Sequence, residues 1–340
     1  MTSTISMSGR RVESGDDQSV LESLLRAGVY MPNSCNQGTC GSCKLQVVSG
    51  EVDHRGSPQD TLSAEERAQG LALACQARPL DDVEVSLCGT DEAGSTHVLR
   101  DLTGTVASVE DIARDTRRVL IDLDEALDFS TGQYIELTVP GTAERRQYSL
   151  ANTAEERKVL ELHVRRVPGG LASDEWLFGT VAVGDRIEGI GPLGDFHAPP
   201  ADEDTGEPMV LIGGGTGLAP LVGIVRTALS RHPGREVVLY HGVRGESDLY
   251  DGEMFAELEA QYAGFRFVPV LSEETSSEHR SGFPTDALLE DISSCRGWSG
   301  WLCGPPAMVE AGVKAFKRRR MSPRLIHREK FTPADALTSV

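Results

Sequence analysis

The sequence lacks any long apolar run. No stretch approaches the roughly 20 consecutive apolar residues of a membrane-spanning helix. The segment Met1–Gly15 also lacks the apolar core of a secretory signal peptide. These absences argue against a membrane protein and against an exported one. We therefore expect a soluble, cytoplasmic protein, in a compartment that keeps thiols reduced.

Positive charge is scarce. The chain has 340 residues, with 33 Lys and Arg against 52 Asp and Glu, and a net charge of −19. Such a protein repels nucleic acid and anionic membrane surfaces, so neither is an expected partner. Residues 1–97 carry 7 basic and 14 acidic side chains, and residues 98–205 carry 11 and 21. This excess favours docking to a basic protein surface, although solubility alone would also account for it.

Only seven cysteines are present, but four of them follow a pattern. Cys35, Cys40, Cys43 and the distant Cys75 have the C-x4-C-x2-C…C spacing of a plant-type [2Fe–2S] centre. Glycines at 38 and 41 allow the tight turns that bring backbone N–H groups towards the sulfurs. Because such a centre moves one electron at a time, the pattern indicates an electron carrier.

These cysteines have two alternative interpretations, a zinc site and a disulfide. Cys40 and Cys43 could form half of a zinc site, but Cys75 has no neighbouring Cys or His to complete it. A disulfide would need an oxidising compartment, of which the sequence gives no sign. Cys88 and Cys295 lie outside the pattern and are expected to be ordinary half-buried thiols.

The order of predicted elements divides the chain into three domains. Residues 1–97 mix short strands with a helix that Asp17 could cap. Residues 98–205 contain six strand-like runs separated by turn residues, typical of a small antiparallel barrel, with one short helix at Leu171–Phe178. Residues 206–340 alternate strands and helices, which predicts a parallel sheet covered on both faces. Polar stretches at Asp91–Thr96 and around 198–206 predict the boundaries.

The barrel segment carries a combination that suits a flavin nucleotide. Arg146, Tyr148 and Ser149 share one predicted strand, and by themselves could be ordinary surface residues. Gly169 and Gly170 precede a helix start, where free N–H groups and the helix dipole favour a phosphate. Ser173 adds a hydroxyl, although it could simply cap its own helix. An arginine, an aromatic ring and a phosphate-binding helix start together predict flavin binding.

The last segment contains a glycine-rich turn between a strand and a helix. Its residues are Gly213, Gly214, Gly215, Thr216 and Gly217. They would let a pyrophosphate approach the backbone, but they form neither a Walker A loop nor a strict G-x-G-x-x-G. A turn without any ligand is the alternative.

A later strand ends at Cys303 and Gly304, where the carboxyl ends of parallel strands form a ligand crevice.

Taken in order, these motifs resemble the ferredoxin–NADP reductase superfamily. They are most similar to its branch serving bacterial multicomponent oxygenases, such as phenol, toluene and methane monooxygenases. The likeness adds the segment 191–196 and the ending at 329–331 to the motifs above. It implies a β-grasp ferredoxin domain, an antiparallel six-stranded FAD-binding barrel and a parallel-sheet nucleotide-binding domain.

The resemblance also implies roles. The four cysteines would ligate the cluster, Arg146 would pair with the FAD pyrophosphate, Tyr148 would pack on the isoalloxazine, and Ser149 would bond near flavin N5. It implies further cofactor contacts at Leu150, His163, Val164, Gly169, Gly170 and Ser173. Cys303, with Gly304, would lie near the nicotinamide C4, with the loop at 213–217 around the dinucleotide. Phe331 would cover the flavin, with Glu329 close by, although core packing of Phe331 is an alternative.

The nucleotide and the partner follow from the same comparison. Arg244 could meet a 2′-phosphate, but Glu246 and Asp248 would repel it, so we expect NADH rather than NADPH. Electrons would pass from NADH through FAD and the cluster to a terminal oxygenase hydroxylase or a small Rieske or ferredoxin protein. We expect a monomer.

Two other functions are compatible with the sequence. One is a free-standing flavin reductase with a small acceptor, which would not need a ferredoxin domain. The other is a zinc- or disulfide-stabilised interaction protein, which would contain neither iron nor FAD.

Overall fold

A computed structural model describes residues 3–89 and 97–332. The linker predicted at Asp91–Thr96 lies outside the described residues. The chain divides into two compact units, one comprising residues 1–101 with 190–195 and the other residues 102–189 with 196–340. Among the helices described, none is long and apolar enough to cross a membrane.

The first unit contains a five-stranded mixed sheet and two short helices. Its sheet has the order β2-β1-β7-β3-β5, with β1 parallel to β7 and the other pairs antiparallel, and β4 pairs with β6. The elements are β1 (Ser3–Met7), β2 (Arg10–Ser14), α1 (Val20–Arg26), β3 (Lys44–Ser49), β4 (Val52–Asp53), α2 (Ala64–Ala68), β5 (Leu71–Leu73), β6 (Arg78–Pro79) and β7 (Val83–Leu87).

Helix α1 packs its apolar face, including Val20, Leu21 and Leu24, into the core of this unit. The prediction that Asp17 caps the helix is wrong. Ser19 is the cap, because its hydroxyl accepts a hydrogen bond of 3.1 Å from the Glu22 N–H.

Six antiparallel strands form the predicted barrel. They are β8 (Arg100–Ala113), β9 (Thr116–Leu123), β10 (Tyr134–Thr138), β11 (Arg145–Ser149), β12 (Val159–Arg165) and β13 (Arg186–Leu193). Their order is β11-β10-β13-β8-β9-β12, and an antiparallel bridge between Leu150 and Leu162 joins the two edge strands. This bridge closes the sheet, and the apolar side chains inside it form one core.

The helix after β12 differs from the prediction. It spans Leu171–Thr180 and is a π-helix rather than an α-helix. Arg117 stabilises it from β9, because its guanidinium donates to the Leu177 carbonyl at 3.0 Å and lies 4.4 Å from the centre of the Phe178 ring.

The third sheet is entirely parallel, with the order β17-β16-β15-β14-β18-β19. Helices α3 and α4 contribute to the core on one face, and α5 and α6 to the core on the other. The elements are β14 (Met209–Gly214), α3 (Leu218–Arg231), β15 (Val237–Val243), α4 (Gly252–Gln261), β16 (Phe265–Leu271), β17 (Arg280–Ser281), α5 (Pro284–Asp291), β18 (Ser299–Gly304), α6 (Pro306–Arg318) and β19 (Ile326–Lys330).

Strand order reverses at β14, whose neighbours are β15 on one side and β18 on the other. The crevice at the carboxyl ends of strands at such a switch point is the usual place for a nucleotide. Both the glycine turn at 213–217 and Cys303 lie at these strand ends.

Candidate functional site

The four cysteines of the pattern form two pairs. The sulfurs of Cys43 and Cys75 are 3.2 Å apart, and Cys40 donates a hydrogen bond to Cys35. In the described part of the chain, no three cysteine sulfurs lie within 4.8 Å of one another. A single tetrahedral zinc needs all four ligands around one point, whereas two pairs suit two irons. The residues present therefore fit a [2Fe–2S] cluster.

Backbone donors surround the Cys35 sulfur. The N–H groups of Gln37 and Cys40 point at it, with N to Sγ distances of 3.5 and 3.3 Å. The hydrogen bond from the Cys40 thiol, helped by these N–H groups, lowers the pKa of Cys35 to about 5. A thiolate is thus favoured at Cys35, as a metal ligand requires. Gly38 and Gly41 make the loop possible, with φ of +81° and +76°.

The two cysteine pairs differ in exposure. Cys40 is exposed and Cys35 intermediate, whereas Cys43 and Cys75 are buried. Gln76 reaches the inner pair, because its side-chain amide lies 3.7 Å from the Cys75 sulfur.

Several residues that were expected to contact the flavin have partners within the barrel instead. The Arg146 guanidinium pairs with Glu144, the residue just before β11, at 2.5 Å. Tyr148 is half-buried and packs against the barrel core. The side chains of Leu150 and Val164 lie inside that core, so only their backbone atoms could contact a cofactor.

The start of the π-helix already holds several of its own donors. Asp174 accepts a hydrogen bond of 2.8 Å from the Gly169 N–H and pairs with Arg166 at 2.6 Å. The Ser173 hydroxyl accepts from the Val167 N–H at 3.2 Å. Ser173 therefore fixes the turn that enters the helix, and Gly170 is the N-cap residue.

The glycine turn and the end of β18 are in backbone contact. A Cβ on Gly217 would clash with the Cys303 carbonyl, and one on Gly214 would lie 2.7 Å from the Met308 sulfur. Gly213 and Gly214 end β14, and residues 215–217 form a 3₁₀ turn that contains Thr216. The glycines are thus required by close packing as well as by any ligand.

Three of the residues expected near the reacting atoms of the flavin and the nicotinamide meet. Ser149 Oγ lies 3.3 Å from Glu329 Oε2, and the Cys303 sulfur is 3.9 Å from the same oxygen. All three are buried. Burial and the neighbouring Glu329 carboxylate raise the pKa of the Cys303 thiol well above its ordinary value, so it stays protonated. This group of a hydroxyl, a thiol and a carboxylate can therefore hold a proton at a defined point.

Phe331 follows these residues directly. Its N–H donates to the Gly304 carbonyl at 2.9 Å, and its partly buried ring packs against the core of the parallel-sheet domain. Core packing, which the sequence left as an alternative, describes the ring in this structure.

Arg244 and Asp248 have different surroundings. Arg244 is exposed, 3.8 Å from Glu273, whereas Asp248 is buried. Both Asp248 oxygens accept from Arg114 of the barrel, at 2.9 and 2.7 Å, and one also accepts from the Gly245 N–H. Asp248 therefore joins the barrel to the parallel-sheet domain.

Sequence reasoning missed a group of residues around Tyr250. The Tyr250 ring contacts the rings of His163 and His241, and its hydroxyl reaches the Gly215 carbonyl. No motif marks Tyr250, and His163 is 87 positions earlier in the chain, so only the fold could bring them together.

The chain was compared with known families. Residues 3–80 match the 2Fe-2S iron–sulfur cluster binding domain, residues 103–198 the oxidoreductase FAD-binding domain, and residues 211–314 the oxidoreductase NAD-binding domain.

Among curated proteins, it is 72% identical over 335 residues to the reductase subunit of an aromatic O-demethylase from Amycolatopsis sp., covering 98% of this chain and 100% of that protein. It is 34% identical over 340 residues to the reductase component of phenol 2-monooxygenase from Pseudomonas sp., covering 98% and 95%.

Solved structures give a consistent result. A crystal structure of an Amycolatopsis cytochrome P450 reductase superposes with a TM-score of 0.95 at 72% identity, covering 98% of this chain and 100% of that one. The ferredoxin reductase of carbazole 1,9a-dioxygenase has a TM-score of 0.83 at 26% identity, covering 97% and 99%.

Proposed function

This chain belongs to the family of iron–sulfur flavoprotein reductases that serve oxygenase systems, and we propose that it passes electrons from NADH to a cytochrome P450 that demethylates an aromatic ether. The reductase activity and the oxygenase partner are properties of the family. The choice of a P450 rests on one observation, the 72% identity over nearly the whole length to the Amycolatopsis aromatic O-demethylase reductase.

The three domains would divide the work. FAD accepts a hydride from a reduced nicotinamide and releases electrons singly, and a [2Fe–2S] centre carries them one at a time. We assign residues 1–97 to the cluster, 98–205 to FAD and 206–340 to the nucleotide. Cys35, Cys40, Cys43 and Cys75 would hold the cluster, and Arg146, Tyr148, Gly170 and Ser173 the flavin.

Ser149, Cys303 and Glu329 would form the place of hydride transfer. The Ser149 hydroxyl has a single proton, which it donates to Glu329 and which it would turn towards a flavin nitrogen when FAD binds. Cys303, at the end of β18, lies beside the glycine turn that would hold the dinucleotide. Their burial excludes water from the reacting atoms, and the chain contributes to catalysis mainly by orientation.

NADH is proposed over NADPH because carboxylates surround the segment after β15. Glu274 accepts from the Glu246 N–H at 2.8 Å, and Arg244, the nearest cation in sequence, faces Glu273. A carboxylate suits the ribose hydroxyls of NADH and repels a 2′-phosphate.

The test uses purified holoprotein under anaerobic conditions. NADH should bleach the flavin absorbance, and adding a bacterial aromatic O-demethylase P450 should give the spectrum of the CO-bound ferrous haem. The rate of haem reduction should fall as salt rises, because the acidic protein docks to a basic surface. A flavin that NADH leaves oxidised would refute the reductase assignment, and a reduced flavin with an oxidised haem would refute the P450.

A further inference from the structure

The carbonyl of Gly215 is held by two side chains. His241 Nε2 lies 3.0 Å from this oxygen and the Tyr250 hydroxyl 3.4 Å from it, and both groups must donate because a carbonyl only accepts. Gly215 has φ of +54° and is the first residue of the 3₁₀ turn in the proposed dinucleotide loop. These two donors therefore fix the orientation of the peptide that opens the loop.

The ring of Tyr250 connects this loop to the barrel. It meets the His163 ring edge-on, with centroids 5.2 Å apart and planes at 89°, and the His241 ring at 5.3 Å. His163 lies on β12 of the barrel, and Glu161 holds its Nε2 at 3.0 Å. One side chain thus contacts the nucleotide loop with its hydroxyl and a flavin-domain strand with its ring.

Tyr250 is itself held on both sides by ion pairs to the barrel. Asp248 pairs with Arg114, as described above, and Asp251 pairs with Arg118. Arg118 also reaches Glu161 at 2.8 Å, the residue that holds His163. The segment 248–251 is therefore fixed to the hairpin of β8 and β9 at two points, with the buried Tyr250 between them.

We propose that Tyr250 is a positioning residue for hydride transfer, which sets the dinucleotide loop against the flavin-binding barrel. This inference rests on the proposed function. The hydroxyl orients the loop and so contributes to nucleotide binding. The ring sets the placement of the loop relative to β12 and so contributes to the rate of hydride transfer at saturation, where small displacements are costly.

Two substitutions separate these contributions. Tyr250→Phe removes one hydrogen bond and keeps the ring, so the dissociation constant for NAD⁺ should rise about 2- to 10-fold, with the limiting rate of flavin reduction within about twofold of wild type. Tyr250→Leu also removes the ring contact and should slow flavin reduction about tenfold or more at saturating NADH. Deuterium at the transferred position of NADH should slow this step, which shows that hydride transfer is being measured.

A matched control is Tyr240→Phe. Tyr240 is a buried tyrosine on β15 whose hydroxyl donates to Asp291 at 3.0 Å, on a different side of the same domain. The Tyr240→Phe substitution should lower the melting temperature without changing NAD⁺ binding. Equal effects of Tyr240→Phe and Tyr250→Phe on NAD⁺ binding would show a general packing role and overturn the proposal.

A double-mutant cycle gives a second route. His163→Leu removes the same ring contact from the barrel side, so combining it with Tyr250→Leu should slow flavin reduction little more than either change alone. Fully multiplicative effects would overturn the proposal, as would wild-type NAD⁺ binding in Tyr250→Phe. If Tyr250→Leu loses FAD, Tyr250→Phe and His163→Leu still decide the outcome.

The reductase function and the role of Tyr250 can be refuted separately. NAD⁺ binding is measured by calorimetry on the oxidised holoprotein and needs no turnover. A wild-type protein that binds NAD⁺ but is not reduced by NADH would refute the proposed function, while the binding comparison would still judge Tyr250. A wild-type protein that does not bind NAD⁺ would refute both.

Discussion

The Ser149 hydroxyl donates a hydrogen bond of 3.3 Å to the Glu329 carboxylate, although 180 positions separate the two residues in the chain. Ser149 is the last residue of β11 in the barrel, and Glu329 lies on β19 at the edge of the parallel sheet. The pair therefore links the two halves of the proposed hydride-transfer site.

Replacing Ser149 by Ala should slow flavin reduction by NADH about tenfold or more. The change removes one of the donors to a buried carboxylate, a hydrogen bond worth about 1.5–3 kcal/mol, and removes the hydroxyl that would orient the flavin. Anaerobic stopped-flow absorbance measures the rate. Ser281→Ala, at an exposed serine on β17, is the control and should match wild type. A Ser149→Ala protein that is reduced at the wild-type rate would contradict the assignment.

Replacing Cys43 by Ser should remove the cluster and separate two activities. The flavin should still be reduced by NADH and should pass electrons to ferricyanide, whereas reduction of the protein partner should be lost. Iron and acid-labile sulfide analysis checks the cluster. Cys88→Ser is the control, because Cys88 is exposed and outside the pattern. Partner reduction that survives in Cys43→Ser would instead favour a free-standing flavin reductase.

Replacing Gln76 by Leu should lower the potential of the cluster by about 20–60 mV. The Gln76 amide lies 3.7 Å from the Cys75 sulfur, and a donor there stabilises the more negative reduced form, with a hydrogen bond worth about 0.5–1.5 kcal/mol. A spectroelectrochemical titration gives the potential. Gln46→Leu is a fair comparison, because that amide contacts backbone carbonyls only. Equal potentials for the two variants would exclude this role for Gln76.

Thermal stability should fall as the pH drops from about 6.5 towards 4. Burial lowers the pKa of His241 to about 4 and, with nearby His197, that of His327 to about 4. The unfolded chain, with histidine near pKa 6.5, then binds more protons than the folded one, so acid favours unfolding. His327→Phe keeps a ring stacked on Trp301 and should lessen the loss of melting temperature between pH 7 and pH 5. Parallel pH curves for the variant and wild type would contradict this.

Replacing Glu246 by Lys should raise the kcat/KM for NADPH relative to NADH by about tenfold. The change puts a cation two positions after Arg244, where a carboxylate now lies 3.9 Å from His279, and leaves the backbone contact to Glu274 in place. Glu253→Lys, with the same charge change at an exposed position at the start of α4, is the control. Steady-state assays with both nucleotides measure this preference. An unchanged preference would show that the ribose 2′-hydroxyl of the nucleotide does not bind beside residue 246.

The features that sequence analysis predicted are those encoded locally. The spacing of Cys35, Cys40 and Cys43 lies within one short segment and does not depend on how the rest of the chain packs. The alternation of strands and helices after residue 206 is likewise predictable, because each element has its own period of apolar residues.

What the sequence could not show depends on distant contacts. Strand β19 reads Ile-His-Arg-Glu-Lys, with little apolar alternation, and forms only because β18 offers a free edge. The π-helix at 171–180 is held by Arg117 from another strand. Tyr250 and Asp248 gain their roles from barrel residues more than 80 positions away, so no local pattern could reveal them.

The unequal exposure of the cysteine pairs also bears on how the protein matures. Of these four cysteines, Cys40 is exposed and Cys35 is partly exposed, while Cys43 and Cys75 are enclosed by the folded unit. Iron and sulfide supplied by an assembly scaffold must therefore arrive from the Cys40 side. We expect electrons to leave the cluster on this same exposed side, so a docked oxygenase would cover the cluster and protect it from loss.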